Sequence, residues 1–342
     1  MSFAQDGIEQ QVKAFCAQIG ADPLLVQGAG GNVSWKDGDT LWVKASGTWL
    51  ADAEVKEIFV PVDYLFLQTA LSRQDYSVQP KAINNSLLRP SIETLLHALM
   101  PHRVVVHLHA IEILAHLVQT KAIKKVQRLV GDAVKWVYVD YFKPGADLAR
   151  SVSEQLKTKL DADVVFLGSH GVVIGGASVE EVVATLRKLL SKMQIKIAEP
   201  IAEFGPTTRQ SEFLAQGYIP VEDKEVGRFA KDKGLMSMVR CQWALYPDHV
   251  VFLGAKPAIL NANFTSLDLT EMTSQKPPFI FSENDDVYQS LDATAAQKSQ
   301  LRCYYDVIIR QGESEELSVL GDRQVFELLN WDAEKYRQNT HQ

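Results

Sequence analysis

The run Arg-Val-Val-Val-His-Leu-His at positions 103–109 leaves few folds open to this chain. Three consecutive β-branched residues disfavour a helix and, within so short an apolar run, specify a buried strand. Side chains alternate along a strand, so His107 and His109 face the same side. Two imidazoles on one rigid strand end are a starting point for a metal site. The same spacing also reads as a core strand with two half-buried histidines, since spacing alone does not make a site. Upstream, Pro90 and Ser91 are expected to open a helix, with Glu93 close to its positive N-terminal end.

Two further places carry chemistry. Strands at 32–35 and 40–44 flank Lys36-Asp37-Gly38-Asp39, a hairpin signal. The glycine-rich turn Gly28-Ala29-Gly30-Gly31 comes before this hairpin, with Asn32 and Ser34 following, and Lys44-Ala45-Ser46-Gly47 closes it. Such a turn lets backbone N–H groups approach an anion, with Asn, Ser and Lys adding donors and charge. It is not a dinucleotide fingerprint, because it leads into strands rather than a helix, nor is it a Walker loop. Glycines serving conformation alone account for it equally well. The other place is Gly168-Ser169-His170-Gly171, between the short apolar strands 164–167 and 172–176, which exposes a histidine at a hairpin.

The remaining pattern reads as helices at 6–19, after Pro61, at 110–120, from 146 and at 179–197, with strands at 58–60 and 133–141. His116 falls within a helix and is expected to be a structural or surface residue instead of a ligand; Lys143, in Phe142-Lys143-Pro144-Gly145, is expected to be a solvated turn residue. Polar residues after Gly205-Pro206 suggest a boundary near 200–212, hence units 1–205 and 206–342. Beyond it, 222–235 and 287–305 read as helices and 243–253 as a strand, with His249 at its surface end. Residues 322–337 read as one terminal helix, in which Trp331 and Tyr336 serve core or interface.

The 342 residues suffice for one large or two medium domains, and 46% hydrophobic with 23% charged residues is ordinary for a soluble protein. A formal charge of -7 argues against nucleic acid or an anionic membrane as principal partner. Cys16, Cys241 and Cys303 are too scattered for a disulfide framework or a paired-cysteine zinc module. The polar N-terminus resembles no secretory signal and no apolar run is long enough to span a membrane, so cytoplasm is the expectation.

His107, His109 and His170 together offer three neutral nitrogens and an open position, the ligand set of a catalytic zinc site. A metal held there would stabilise an enolate, Glu93 would be the base, and the upstream cradle would hold a remote phosphate.

Gly30-Gly31-Asn32-Val33-Ser34, Lys44-Ala45-Ser46-Gly47, Pro90-Ser91-Ile92-Glu93, His107-Leu108-His109 and Ser169-His170-Gly171 occur in the order of the class II aldolase/adducin family, which the chain resembles over about residues 5–200. The wording at 89–102, Tyr141–Arg150 and Leu328–Arg337 is most similar to the aldolase part of bifunctional rhamnulose-phosphate aldolase/lactaldehyde dehydrogenases. A short-chain dehydrogenase follows in those proteins; this sequence ends before one. The resemblance implies a three-layer α/β/α sandwich with a mainly antiparallel sheet, here with a C-terminal α+β extension, assembled as a homotetramer. It implies Zn2+ on His107, His109 and His170, Glu93 as acid/base, and a phosphorylated sugar held by Gly31, Asn32, Ser46, Gly47 and Ser91. The implied reaction is retro-aldol cleavage to dihydroxyacetone phosphate and a small aldehyde. Epimerisation, dehydration or decarboxylation of a sugar phosphate or sugar acid would use the same site, and a silent adducin-like interaction module would use none. Ala29 and Ile92 replace hydroxyl residues of the small aldolases, Ser169 replaces an Asn, and Tyr141 aligns loosely with an aromatic acid.

Overall fold

The computed structural model of the chain describes residues 7–83, 86–197, 208–312 and 315–339. Helix α1 (Ile8–Gly20) buries Val12, Phe15, Cys16 and Ile19, one stripe at helical spacing. Strands β1 (Asn32–Asp37) and β2 (Thr40–Lys44) form the expected hairpin, and β3 (Phe59–Asp63) follows. Asp63 then accepts from the Phe66 amide at 2.8 Å and starts α2 (Tyr64–Ser72). Helix α3 (Thr94–Leu99), strand β4 (Val104–Leu108) and helices α4 (Ile111–Leu117) and α5 (Ala122–Val130) come next. Strand β5 (Trp136–Val139), helix α6 (Ala146–Thr158), strands β6 (Val164–Leu167) and β7 (Gly171–Gly176), and helix α7 (Val179–Met193) complete this part.

The seven strands form one sheet in the order β3-β2-β1-β4-β7-β6-β5, antiparallel except for β5 beside β6. Alternation along β4 supplies both faces. Val104, Val106 and Leu108 pack with α1, α4, α5 and α7, whereas Val105 packs with α3 and α6. Helices therefore cover both faces, and the sandwich has three layers.

The remaining residues form α8 (Gln210–Leu214), β8 (Tyr218–Pro220), α9 (Lys224–Lys231), α10 (Lys233–Cys241), α11 (Pro247–Leu253), β9 (Ala258–Leu260) and α12 (Ser266–Ser274). Strands β10 (Phe279–Ser282) and β11 (Val287–Ser290) lead to α13 (Ala295–Ile308), α14 (Asp322–Leu329) and α15 (Asp332–Asn339). Their four strands pair in the order β8-β11-β10-β9, an α+β arrangement. One apolar cluster joins Ile111, Leu114 and Val118 to α9, α11, α13 and α14, so α4 has a core on either side. Among the described residues no helix is long and apolar enough to cross a membrane.

Several expectations change. Residues 243–253 are not a strand: Pro247 occupies the first turn of a helix, a position where its missing N–H costs nothing. Residues 287–305 begin as strand β11, and the helix starts only where Thr294 and Gln297 form a capping box. The terminal helix is two helices with a break after Leu329, and 222–235 is likewise interrupted where Asp232 caps α10. Helix α3 opens at Thr94, later than Pro90 and Ser91, because Pro90 bridges to Ala45 while the Ser91 carbonyl receives the Thr94 amide. The boundary expected near 200–212 lies largely outside the described residues.

Candidate metal centre and its surroundings

Register assembles the first part of the site. In the β1–β4 ladder Asn32 lies opposite His107, and directly opposed residues share a face, so the glycine turn delivers Asn32 beside the imidazole. Asn32 Nδ2 donates to Glu93 Oε2 at 2.9 Å. The exit from β2 is held by two backbone bonds, Ser46 N to Arg89 O at 2.8 Å and Ser91 N to Lys44 O at 3.2 Å. These bring Ser46 and Gly47 against Ser91, and the Ser91 hydroxyl accepts from the Glu93 amide at 3.2 Å.

His170 arrives on the β6–β7 hairpin. Its three-residue loop closes with the His170 amide on Leu167 O at 3.2 Å and holds Ser169 at φ +49°. Gly171 makes the approach feasible. A Cβ there would stand 2.4 Å from Leu108 O, 3.1 Å from His109 and 3.2 Å from His107. The three histidine rings lie with centroids 4.8 to 5.3 Å apart, and one nitrogen from each falls within 4.8 Å of the others.

The orientation of these rings favours a cation. His107 Nδ1 faces Val172 O at 3.2 Å, which assigns its proton to Nδ1 and leaves a lone pair on Nε2. His109 Nδ1 lies 3.4 Å from Asp248 Oδ2 without a hydrogen bond, and the carboxylate there favours the proton on Nδ1 and a lone pair on Nε2. The two Nε2 atoms are 3.1 Å apart. Two lone pairs at that distance repel unless a positive ion lies between them, so the donor set fits a divalent metal. Burial lowers the His107 pKa well below its usual value and that of His170 to about 3, keeping both rings neutral as metal ligation requires.

Glu93 sits against this group, with Oε2 at 3.6 Å from His107 Nε2 and Oε1 at 3.4 Å from His170 Nε2. Burial pushes its carboxyl up to about 7, with His109 opposing the shift. Oε1 has no hydrogen-bond partner among the described residues. Lys44 is fully buried and braces the glycine turn through a 3.0 Å bond to Ala29 O, and burial draws its pKa down to about 7.

All the residues singled out for the site converge. Gly31, Asn32, Ser46, Gly47, Ser91, Glu93, His109 and His170 line one cavity of about 20 Å3, and His107 lies behind this wall, its Nε2 3.6 Å from Glu93 Oε2. Ala29 and Ile92 line it too, so the two missing hydroxyls are missing at the wall itself. An adjoining cleft of about 480 Å3 shares Ser46, Ser91 and Ile92. Lys143 is not simply solvated: it lines this cleft with its Nζ 4.6 Å from the Trp331 ring centroid, and Arg89 stacks on Tyr336 at 4.2 Å. Tyr141 lines a different cleft, with Glu327. His116 is structural as expected, with Nε2 facing Met193 O at 2.9 Å.

Sequence reasoning missed Asp248, Glu334 and Arg337, which line the same cavity from the far end of the chain. Arg337 contacts Asp248 and lies 3.1 Å from Glu334 Oε2. Burial opposes the Asp248 charge, yet Arg337 and His109 hold its carboxyl well below the usual carboxylate range. Burial raises the pKa of Glu334. Asp248 fell within a stretch read as a strand, and Glu334 and Arg337 within the terminal helix, so no local signal marked them. His249 also departs from expectation. It is fully buried in α11 among Trp243, Tyr246 and Tyr304 and does not line the cavity.

Residues 10–197 match the family described as the class II aldolase and adducin N-terminal domain. The chain is 23% identical over 294 residues to the uncharacterized oxidoreductase YuxG of Bacillus subtilis, covering 74% of this chain and 42% of that one. It thus spans less than half the length of that relative. It is 27% identical over 169 residues to the L-fuculose phosphate aldolase of Methanococcus maripaludis, covering 47% of this chain and 80% of that one. The solved N-terminal class II aldolase domain of a conserved protein from Thermoplasma acidophilum is 27% identical, with a TM-score of 0.47 over 56% of this chain and 94% of that one. With the matched residues making up more than half of its length, the chain belongs to the class II aldolase and adducin family.

Proposed function

We propose that this chain is a divalent-metal-dependent lyase, using zinc, that splits a phosphorylated ketose by retro-aldol reaction into dihydroxyacetone phosphate and a small aldehyde. The observation that carries this reading is the cluster of three imidazoles beside a buried carboxylate whose Oε1 accepts no hydrogen bond among the described residues, at the wall of one cavity. A divalent ion held by His107, His109 and His170 supplies a Lewis acid for the negative charge that develops as the carbon–carbon bond breaks.

The protein's own residues do the rest. Asn32 fixes one oxygen of Glu93 and leaves Oε1 to carry the proton. With its pKa near 7, that carboxyl exchanges a proton readily at neutral pH, as an acid/base requires. In the retro-aldol direction a substrate hydroxyl loses its proton, the adjacent carbon–carbon bond breaks, the aldehyde leaves, and the carbanionic carbon is reprotonated. Backbone and hydroxyl groups of Gly31, Asn32, Ser46, Gly47 and Ser91 hold the phosphate. The cavity of about 20 Å3 holds roughly one water, so most of a sugar phosphate would occupy the adjoining cleft of about 480 Å3.

A second reading rests on Ala29 and Ile92. Neither offers a hydroxyl to a phosphate, which favours an unphosphorylated sugar acid undergoing decarboxylation or epimerisation at the same site.

Metal analysis and one variant test the proposal. Purified protein should carry about one divalent ion per chain, lost in His107→Ala/His109→Ala. Glu93→Gln should keep the ion and lose about 100- to 10,000-fold in turnover. Turnover retained in Glu93→Gln would remove the base, and absence of any ion after reconstitution would remove the lyase reading. Product analysis on ketose 1-phosphates separates cleavage from the second reading.

A further inference from the structure

We propose that Asp248 is a positioning residue for the metal ligand His109, so that the C-terminal part of the chain completes the metal centre. This rests on the metal-site reading above and assigns a role to residues outside the matched 10–197.

The three imidazoles are oriented differently. His107 Nδ1 rests on a backbone carbonyl, and neither His109 Nδ1 nor His170 Nδ1 makes a hydrogen bond among the described residues. His109 alone of the three faces a carboxylate through Nδ1, with Asp248 Oδ2 at 3.4 Å. Asp248 is 2% exposed and tethered on several sides. Its Oδ1 contacts the Arg337 guanidinium, and Gln300 Nε2 donates to Oδ2 at 3.4 Å. Arg337 is in turn held by Glu334, one turn earlier on α15. Helices α11, α13 and α15 thus fix one carboxylate against one imidazole.

Gly30 permits the contact. A Cβ at that position would stand 3.2 Å from both Asp248 Oδ2 and His109 Nδ1, and 2.9 Å from Gln27 O. Any side chain there would press between carboxylate and ring. Because Asp248 addresses Nδ1, it does not compete for the metal: it holds the proton on that nitrogen and turns the Nε2 lone pair toward the other two rings. A carboxylate behind a ligating histidine also raises the basicity of the ligand.

The test measures metal affinity instead of turnover. Wild type, Asp248→Asn and Asp248→Asn/Arg337→Gln are compared for zinc affinity by chelator competition and for the visible spectrum of the cobalt-loaded protein. The double variant covers the case in which Asp248→Asn misfolds because Arg337 loses a buried counter-charge. The expected result is zinc affinity lower by about 10- to 100-fold in both variants, with altered cobalt bands. Wild-type affinity and an unaltered cobalt spectrum in a folded variant would overturn the role of Asp248 and leave the metal site standing. Wild-type protein that takes up neither zinc nor cobalt would instead overturn the metal-site reading, and this inference with it.

Discussion

Asp248 and His249 are neighbours in α11, and the helix turns them into different environments. Asp248 reaches the cavity, whereas His249 stands among Trp243 at 4.4 Å, Tyr304 at 4.5 Å and Tyr246 at 5.5 Å between ring centroids. Neither His249 ring nitrogen has a hydrogen-bond partner among the described residues, and burial pushes its pKa down to about 3. The unfolded chain takes up a proton near pH 6.5 that the folded one refuses. Stability from this group is therefore complete above pH 6.5 and is lost as pH falls toward 3. His249→Leu should remove about 2 kcal/mol of the stability difference between pH 7 and pH 5. Urea titrations at the two pH values check this; an unchanged difference would mean that His249 protonates in the fold. The sequence shows the histidine but not its surroundings, because the rings around it come from positions 243, 246 and 304.

Among the elements, the β6–β7 hairpin most directly sets the geometry of the site. Leu108 O, which a Cβ on Gly171 would strike at 2.4 Å, belongs to β4 and is fixed by the β4–β7 ladder. Gly171→Ala must therefore push the hairpin away from the two histidines. A loss of about 1–3 kcal/mol in urea stability is expected, with weaker zinc retention on dialysis. Unchanged stability and zinc retention would show that the hairpin has slack. Elements with clear periodicity or turn chemistry were legible, among them the stripe of α1, the β1–β2 hairpin and the β6–β7 loop. Elements failed to read where the apolar run has no period. Val250 to Leu253 are buried all round, so helix and strand give the same pattern there, and only Pro247 hints at the start. The capping pair Thr294 and Gln297 did mark the true start of α13, within a stretch read as continuous helix.

For the molecule as a whole, α4 joins two cores, since Ile111, Leu114 and Val118 belong to a core built mostly from residues beyond 220. A polar link reinforces it. Arg310, just beyond the C-terminus of α13 and almost fully buried, places Nη2 at 2.9 Å and Nε at 3.1 Å from Glu112 Oε1, while Glu112 Oε2 accepts from the Ile195 amide at 2.9 Å. Glu112→Ala strips a buried guanidinium of its main counter-charge and should cost about 3 kcal/mol in urea stability. A loss below about 1 kcal/mol would show that packing alone joins the two parts.

By itself the sequence determined what is local. It put His107 and His109 on one face, His170 at a hairpin and Glu93 before a helix, because alternation, turn chemistry and N-terminal charge act over a few residues. The tertiary structure decided the rest. It set Asn32 opposite His107 and bonded it to Glu93, 61 positions away, and it brought Arg337 to Asp248 across 89 positions. Those partners are selected by which apolar faces can be buried together, and burial is non-directional: an amphipathic stripe states that a helix must pack, not where. The C-terminal wall of the cavity was therefore invisible until α11, α13 and α15 had found the core that α4 offers them.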